Sequence, residues 1–473
     1  MYDLFDKWEE TLLSGHVELP LTQLTISKSG KDYKGSGRLV WTDHSSIRIT
    51  GITDGGKSLI NENGRFPTCG TLIPHNTYAK GKGVLQDESE VEIFPVHSPS
   101  HQLFEGQDQV GWDYNTHGFV ITRKRKHYFA KDYVRTVHLI MQPKFGRWTR
   151  GTTTVVDNPI FGTKRSALDW CQTMTRLGLL AFRKLDDTWM EAALFMTEAH
   201  RDIELIDIST AIGRTVGFIN GKRSRIIGAV EYTGDTEKYV MDVRVKSVSS
   251  NSLVQPLGNN FASYDYLEQL LSSTFDLFST SLGKDIGLHL YTCWDIVDNS
   301  YQSKAAVLSI CLESLVRMVH SVLSKQQDDL QTPGKDMAMT WLESVKDTID
   351  SGFYKRMKGF LGTMHHMRPI DVLKEWKNTG FLGTTAADID AWTDIRNAAA
   401  HGRMITRNES GSKLQVTVSS LHAINNMINR IVLYLANYNG NYCDASKHGW
   451  PDMPFSYSLV PGSSSTPSTV AVG

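Results

Sequence analysis

The sequence predicts an α+β protein with a β-rich N-terminal region followed by a C-terminal all-α helical bundle. Up to about residue 155, short runs of β-branched and aromatic residues alternate with glycine, asparagine and serine, which is typical of strands joined by turns. Beyond about residue 260, apolar residues recur at three- and four-residue steps, which indicates amphipathic helices. A chain of 473 residues is also too long for one ordinary core, so we expect more than one domain.

The N-terminal region comprises a β-rich domain, residues 1–155, and a mixed α/β segment, residues 156–250, that continues it. The segments of the first part that predict strands are GRLVW, SIRITGI, EVEIFPV, HGFVITR and RTVHLIMQ. In the second part, SALDWCQTMTRLGLLAF (166–182) predicts a helix, whereas RSRIIGAVEY and KYVMDVRVK predict strands.

A polar segment, residues 247–260, predicts a linker to the helical bundle, residues 261–450. The clearest helix is SKAAVLSICLESLVRMVHSVLSK (303–325). Its predicted apolar stripe comprises Val307, Ile310, Cys311, Leu315, Met318, Val319 and Val322. The low-complexity tail, residues 461–473, is predicted to be disordered.

The overall composition favours a soluble cytoplasmic protein. The net charge is −1, so a nucleic-acid site would have to be a local basic patch. The five cysteines show no C-x-x-C spacing and therefore predict neither a disulfide framework nor a zinc ribbon. The start, MYDLFDKWEE, lacks the order of a signal peptide, and we expect no membrane-spanning segment.

The stretch DAWTDIRNAAAHGR (390–403) has the composition of a helix end and carries two residues suited to phosphate chemistry. Thr384 or Thr385 is the predicted helix cap, and Gly402 the residue that ends the helix. Arg396 and His401 would lie roughly 7.5 Å apart along an ideal helix and roughly 140° apart around it. Both side chains could therefore flank one phosphate group.

An arginine and a histidine in this arrangement can cleave RNA without a metal ion. The guanidinium offers forked donors to phosphate oxygens and stays charged, and the imidazole can move a proton near neutral pH. The 2′-OH would attack the adjacent phosphate while the arginine stabilises the developing charge. The alternative is a helix whose cationic last turn suits the helix dipole, with no catalytic role.

The stretch DIRNAAAHG resembles the Arg–polar–x3–His signature of HEPN ribonuclease domains. LHLYTCWDIVDNSYQSKAAVLSICLESLVRMV resembles the early helices of such bundles, and YLANYNGNYCDASKHGWP resembles their closing segment, so the helical resemblance covers about residues 262–450. The N-terminal half, with GRLVWTDHSSIRITGIT, is similar in style to the N-terminal region of ApeA-like anti-phage proteins.

The resemblance implies a metal-independent endoribonuclease of bacterial anti-phage defence that acts by abortive infection on transfer RNA or other cellular RNA. Arg396 and His401 match the motif arginine and histidine, Asn397 the polar residue, and Glu313 a possible supporting acid. It further implies a homodimer with a composite active site, an N-terminal region that senses a phage-derived trigger, and no cofactor or metal. The alternative is a non-catalytic module that binds RNA or nucleotide, or that dimerises.

Other motifs are weaker candidates. GRTVGFINGKRS (213–224) lacks the spacing of a phosphate-binding loop and predicts a turn before a strand. EWK (375–377) has the letters of a metal-dependent nuclease motif but falls in a helical segment. TRKRKHYF (122–129) could bind a nucleic-acid backbone or be an edge strand guarded by lysines. The pairs His365 with His366 and His97 with His101 lack further metal ligands.

Overall fold

The protein is described here from a computed structural model, and its chain divides into two compact units, Met1–Ser250 and Asn251–Gly473. The division falls within the segment predicted as a linker. The structure describes residues 13–28, 30–42, 46–54, 78–97, 101–103, 109–124, 133–143, 155–157, 164–166, 170–185, 188–197, 203–234, 236–242, 248–249, 251–257, 264–325, 333–346, 348–363, 368–400 and 411–455.

The first unit is built on one fourteen-stranded sheet in which every pairing is antiparallel. The unit comprises β1 (His16–Lys28), β2 (Lys31–Thr42), β3 (Ser46–Asp54), β4 (Tyr78–Leu85), β5 (Glu90–His97), β6 (His101–Leu103), β7 (Gln109–Thr116), β8 (Gly118–Lys124), β9 (Arg135–Gln142), β10 (Val155–Asp157), β11 (Lys164–Ser166), β12 (Trp170–Thr175), β13 (Gly178–Lys184), β14 (Met190–Met196), α1 (Leu205–Asn220), β15 (Arg225–Thr233) and β16 (Thr236–Asp242). The strand order in the sheet is β12-β13-β14-β9-β15-β16-β8-β5-β4-β1-β2-β3-β7-β6, and β10 pairs with β11 separately.

Alternating burial explains why these segments form strands. In β1, Val17, Leu19 and Leu21 are buried while the residues between them are exposed, so one face of the strand covers the core. The predicted α+β class is confirmed, and the strands predicted in the first 155 residues are present as β2, β3, β5, β8 and β9. Strand β9 pairs with β14 and β15, so the same sheet continues into the segment 156–250.

The helix predicted over 166–182 is wrong, because residues 170–182 lie in the hairpin of β12 and β13. Gly178 has φ 142°, which a helix does not allow, and a Cβ atom there would lie 2.1 Å from the carbonyl oxygen of Phe195. The hydroxyl of Thr175 donates to the carbonyl of Gly178 at 2.8 Å and closes the turn. The helix of this region is instead α1, whose residues are mostly buried.

The second unit is mainly helical. Its elements are α2 (Tyr264–Phe278), α3 (Ser281–Trp294), α4 (Tyr301–Lys325), α5 (Pro333–Ser344), α6 (Ser351–Thr363), α7 (Pro369–Thr379), a 3-10 turn (Phe381–Gly383), α8 (Ala386–Ala400), α9 (Gly411–Leu435), β17 (Asn441–Cys443) and β18 (Asp452–Pro454). Helix α4 contacts α3, α7, α8 and α9 and is therefore the centre of the bundle.

Helix α4 is as predicted in extent, and its predicted apolar stripe is buried in part. Cys311, Leu315 and Val319 of that stripe are buried, whereas Ile310 is exposed. Leu308, Leu312 and Val316, which were not predicted in the stripe, are also buried. By length and composition, Tyr301–Leu323 would also be able to cross a membrane, with a mean hydropathy of 1.6. In the structure, 39% of the most apolar window of this helix is buried.

The segment predicted as a linker is partly an ordered part of the helical unit. Val254 is buried, and its carbonyl oxygen accepts hydrogen bonds from the side-chain amides of Asn425 and Asn429, each at 3.0 Å. The carbonyl of Pro256 accepts a hydrogen bond from the backbone N–H of Cys443 at 2.7 Å. The polar composition of residues 247–260 predicted a linker because the partners that hold Val254 and Pro256 are distant in sequence.

Candidate functional site

Helix α8 begins with a capping box. The backbone N–H of Asp388 donates to Oγ1 of Thr385 at 3.2 Å, and the backbone N–H of Thr385 donates to Oδ2 of Asp388 at 2.9 Å. This exchange satisfies donors that the first turn of a helix leaves unpaired. Of the two predicted caps, Thr385 is the one that makes these bonds.

Asp388 also forms a buried ion pair with Arg430 of α9. Nη2 of Arg430 lies 3.0 Å from Oδ2 of Asp388, and the two side chains are 6% and 4% exposed. Nη1 of Arg430 donates to the carbonyls of Leu382 and Gly383, both at 2.9 Å. Because charges removed from water need close partners, this network fixes the start of α8 against α9.

The middle of α8 packs against the central helix α4. The buried apolar residues of α8 are Ile389, Trp392 and Ile395. The indole N–H of Trp392 donates to the carbonyl of Ser309 on α4 at 3.4 Å. Ala387 is exposed, because Asp388 takes the buried position in the first turn.

Arg396 follows one turn after Trp392 and is held on two sides. Its Cζ lies 5.6 Å from the centroid of the Trp392 ring, which is a cation–π distance. Its Nε donates to Oε2 of Glu313 on α4 at 3.3 Å. The side chain of Arg396 is 50% exposed and that of Glu313 is 23% exposed. A guanidinium held in this way keeps N–H donors at the surface, where they can meet a phosphate.

A second arginine, which the sequence analysis did not single out, contacts the same carboxylate. Nη2 of Arg317 lies 2.8 Å from Oε1 of Glu313, one helical turn away on α4. Glu313 therefore lies between two exposed guanidinium groups, and the cluster of Glu313, Arg317 and Arg396 carries a net positive charge. The spacing of four residues between Glu313 and Arg317 on a predicted helix was the available signal.

The structure thus brings together two of the four predicted site residues, Arg396 and Glu313. Asn397 is exposed on the last turn of α8, which ends at Ala400. His401 and Gly402 lie outside the described residues, so their predicted positions stay predictions.

The described parts of the other motifs lie at a helix end, within a helix and in a strand. The segment 213–224, predicted as a turn, is mostly the last half of α1, and Gly221 ends that helix with φ 63°. EWK lies on α7, as predicted.

In the basic segment 122–129, Arg123 forms an ion pair with Glu237 at 2.6 Å. Its strand β8 pairs with β16 and β5, so the described part is not an edge strand. Residues 125–129 lie outside the described part of the chain.

Metal-ligand geometry is absent from the residues that the structure describes, where no group of three or more His, Cys, Asp or Glu side chains could hold an ion. The pair His365 and His366 lies outside those residues, as do the side chains of His97 and His101.

Comparison of the chain with protein-family models, with curated proteins and with solved structures finds no match in any of the three. The role of this site must therefore be inferred from its own chemistry, together with the sequence resemblance described above.

Proposed function

We propose that the protein is a metal-independent endoribonuclease of the HEPN type. The observation that carries the proposal is the half-exposed guanidinium of Arg396, held between the Trp392 ring and the Glu313 carboxylate at the end of α8. An arginine fixed near its productive position needs little reorganisation when charge develops on a phosphate. The sequence places His401 five residues later.

In the proposed reaction, the ribose 2′-oxygen attacks the adjacent phosphorus and the bond to the 5′-oxygen of the next nucleotide breaks. His401 transfers the proton, Arg396 binds the phosphate and stabilises the charge of the transition state, and Asn397 orients the substrate. The products are a 2′,3′-cyclic phosphate and a free 5′-hydroxyl. No metal ion takes part in these steps.

The biological setting of the proposal comes from the resemblance alone. The substrate is transfer RNA or another cellular RNA, and the protein acts in the cytoplasm as a homodimer with a composite site. The N-terminal unit senses a phage-derived trigger and releases the nuclease, so that an infected bacterium stops growing before the phage multiplies. This setting is an analogy between families and not a consequence of the geometry.

The proposal is tested by expressing the wild-type chain in bacteria, with and without phage, and sequencing the RNA ends. We expect arrested growth and new ends with 2′,3′-cyclic phosphate. Arg396→Ala and His401→Ala should each remove the new ends, because removing a transition-state donor typically slows a reaction about 100-fold or more.

Arg368→Ala is the matched control, since Arg368 is also an exposed arginine paired with a carboxylate, that of Asp371 at 2.7 Å. This control should cleave as the wild type does. Protection against phage without new RNA ends, or cleavage that survives both substitutions at the site, would contradict the nuclease proposal. Retained RNA binding without any cleavage would instead favour the non-catalytic binding module.

A further inference from the structure

The helical unit contains a cleft that the proposed nuclease site does not use. It lies between the first turns of α4, the middle of α9, the segment before α2 and the loop between β17 and β18, and its volume is about 310 Å³. Pockets for small molecules usually range from about 300 to about 1,000 Å³, so the cleft has room for one small ligand and not for a helix or a folded RNA.

Two exposed aromatic side chains line the cleft. Tyr301 on α4 is 38% exposed and Trp450 on the loop is 43% exposed, although large aromatic side chains are usually more deeply buried. The ring of His422 on α9 meets the indole of Trp450 edge-on, with ring centroids 5.1 Å apart. These rings offer flat apolar surfaces on which a planar group can stack.

The backbone of Trp450 is in a strained conformation. Its φ is +50°, a region that residues with side chains rarely adopt, and Pro451 follows it, which further disfavours any conformation except an extended one. The loop holds this conformation through the bond from the Trp450 N–H to the carbonyl of Lys447 at 3.2 Å. Strain of this kind is usually found where a side chain must be presented for function.

The cleft also carries one available cation. Nζ of Lys304 lies 5.5 Å from the centroid of the Tyr301 ring, and among the described residues no carboxylate pairs with this ammonium group. His422 adds no second charge near neutral pH, because burial lowers the pKa of its imidazole. Lys304 is therefore the charged group available to an anion in this cleft.

The cleft and the Arg396 cluster lie on opposite sides of α4. Lys304 and Glu313 are nine residues apart, which is roughly 13.5 Å along a helix and roughly 180° around it. A ligand in the cleft would therefore not occupy the place where Arg396 meets a phosphate.

We propose that this cleft is a binding site for a nucleoside monophosphate, whose base stacks on Trp450 and Tyr301 and whose phosphate pairs with Lys304. The proposal does not depend on the nuclease proposal. Its chemistry needs both parts of the ligand: a planar ring for the aromatic walls and an anion for the ammonium group.

The test is calorimetric titration of the full chain with AMP, GMP, CMP and UMP. At least one should bind. The nucleoside of that nucleotide, which lacks the phosphate, and ribose 5-phosphate, which lacks the base, should each bind at least about tenfold more weakly than the nucleotide. Lys304→Met and Trp450→Leu should each weaken binding of that nucleotide by about tenfold or more.

Three variants serve as controls. Lys374→Met and Trp341→Leu change an exposed lysine and an exposed tryptophan away from the cleft, and Arg396→Ala changes the nuclease site. All three should bind the nucleotide as the wild type does. Lys304→Met guards against a folding defect in Trp450→Leu, since Lys304 is only partly buried. The proposal is overturned if none of the four nucleotides binds, if binding survives Lys304→Met, or if Arg396→Ala abolishes it.

Discussion

Each end of helix α8 contributes to an ion pair between an arginine and a carboxylate, and the two pairs lie in different environments. At the start of α8, Asp388 and Arg430 are almost fully buried, and Arg430 also binds two backbone carbonyls. Near its end, Glu313 and Arg396 meet at the surface at a longer distance, 3.3 Å against 3.0 Å. Both pairs join α8 to a neighbouring helix.

The difference in burial decides what each pair can do. A buried pair has no access to a substrate, and losing one partner leaves a charge without water or a counterion. An exposed pair contributes little to stability because water screens it, but its donors remain open to an incoming phosphate. We therefore infer a structural role for Arg430 and propose a functional role for Arg396.

The largest effect on stability is expected for Arg430→Leu. This substitution leaves the Asp388 carboxylate buried without its cation and removes two hydrogen bonds to backbone carbonyls, so the free energy of unfolding should fall by about 3–5 kcal/mol. Chemical denaturation monitored by circular dichroism measures this. Arg396→Leu, which breaks the exposed pair, should change it by less than about 1 kcal/mol. Equal effects of the two substitutions would remove the distinction between the two pairs.

Local patterns predicted the fold class and several of its elements, because each pattern depends on residues close in sequence. Strands β2, β3, β5, β8 and β9 and the extent of α4 belong to this class. The hairpin at 170–184 was not predicted by a local pattern. Glycine is needed at position 178 because the backbone of Phe195, which is distant in sequence, approaches it closely. For the same reason the segment around Val254 had the composition of a linker, although Asn425 and Asn429 bind it.

The second-largest effect on stability is expected from loss of the capping box at the start of α8. Thr385→Ala removes the hydroxyl that accepts the Asp388 N–H, and the free energy of unfolding should fall by about 1 kcal/mol. Thr393→Ala in the same helix is the matched control. Its hydroxyl donates only to the carbonyl of Ile389, which already accepts within the helix, and alanine has the higher helix propensity. A loss for Thr393→Ala as large as that for Thr385→Ala would argue against the cap.

The candidate site was only partly predictable from the sequence. The motif around Arg396 was visible because its residues lie on one helix end, and Glu313 was named through the resemblance. The four-residue spacing of Glu313 and Arg317 on α4 was visible in the sequence. The contact of Glu313 with Arg396 depends on how α8 packs against α4, which the indole of Trp392 helps to set. No local pattern encodes that packing.

The smallest effect on stability is expected for Glu313→Gln, which separates the charge of this side chain from its shape. Glutamine can still accept hydrogen bonds from Arg317 and Arg396, so the free energy of unfolding should change by less than about 1 kcal/mol. Removing the negative charge leaves the positive charge of both guanidinium groups unbalanced, so RNA should bind more tightly and with a steeper dependence on salt. Glu343→Gln, at an exposed carboxylate paired with Lys358, is the control and should leave RNA binding unchanged.

The rate of RNA cleavage then distinguishes two roles for Glu313: holding Arg396 in position, or contributing its charge to the reaction. If Glu313 only holds Arg396 in place, Glu313→Gln should keep the cleavage rate of bound RNA, while Glu313→Ala, which cannot accept a hydrogen bond, should lower it by about tenfold. Single-turnover kinetics with saturating protein separates this rate from binding. A loss for Glu313→Gln as large as that for Glu313→Ala would mean that the carboxylate charge itself takes part in the reaction. Unchanged RNA binding in both variants would mean that neither arginine beside Glu313 meets the substrate, and the surface pair would then be as purely structural as the buried one.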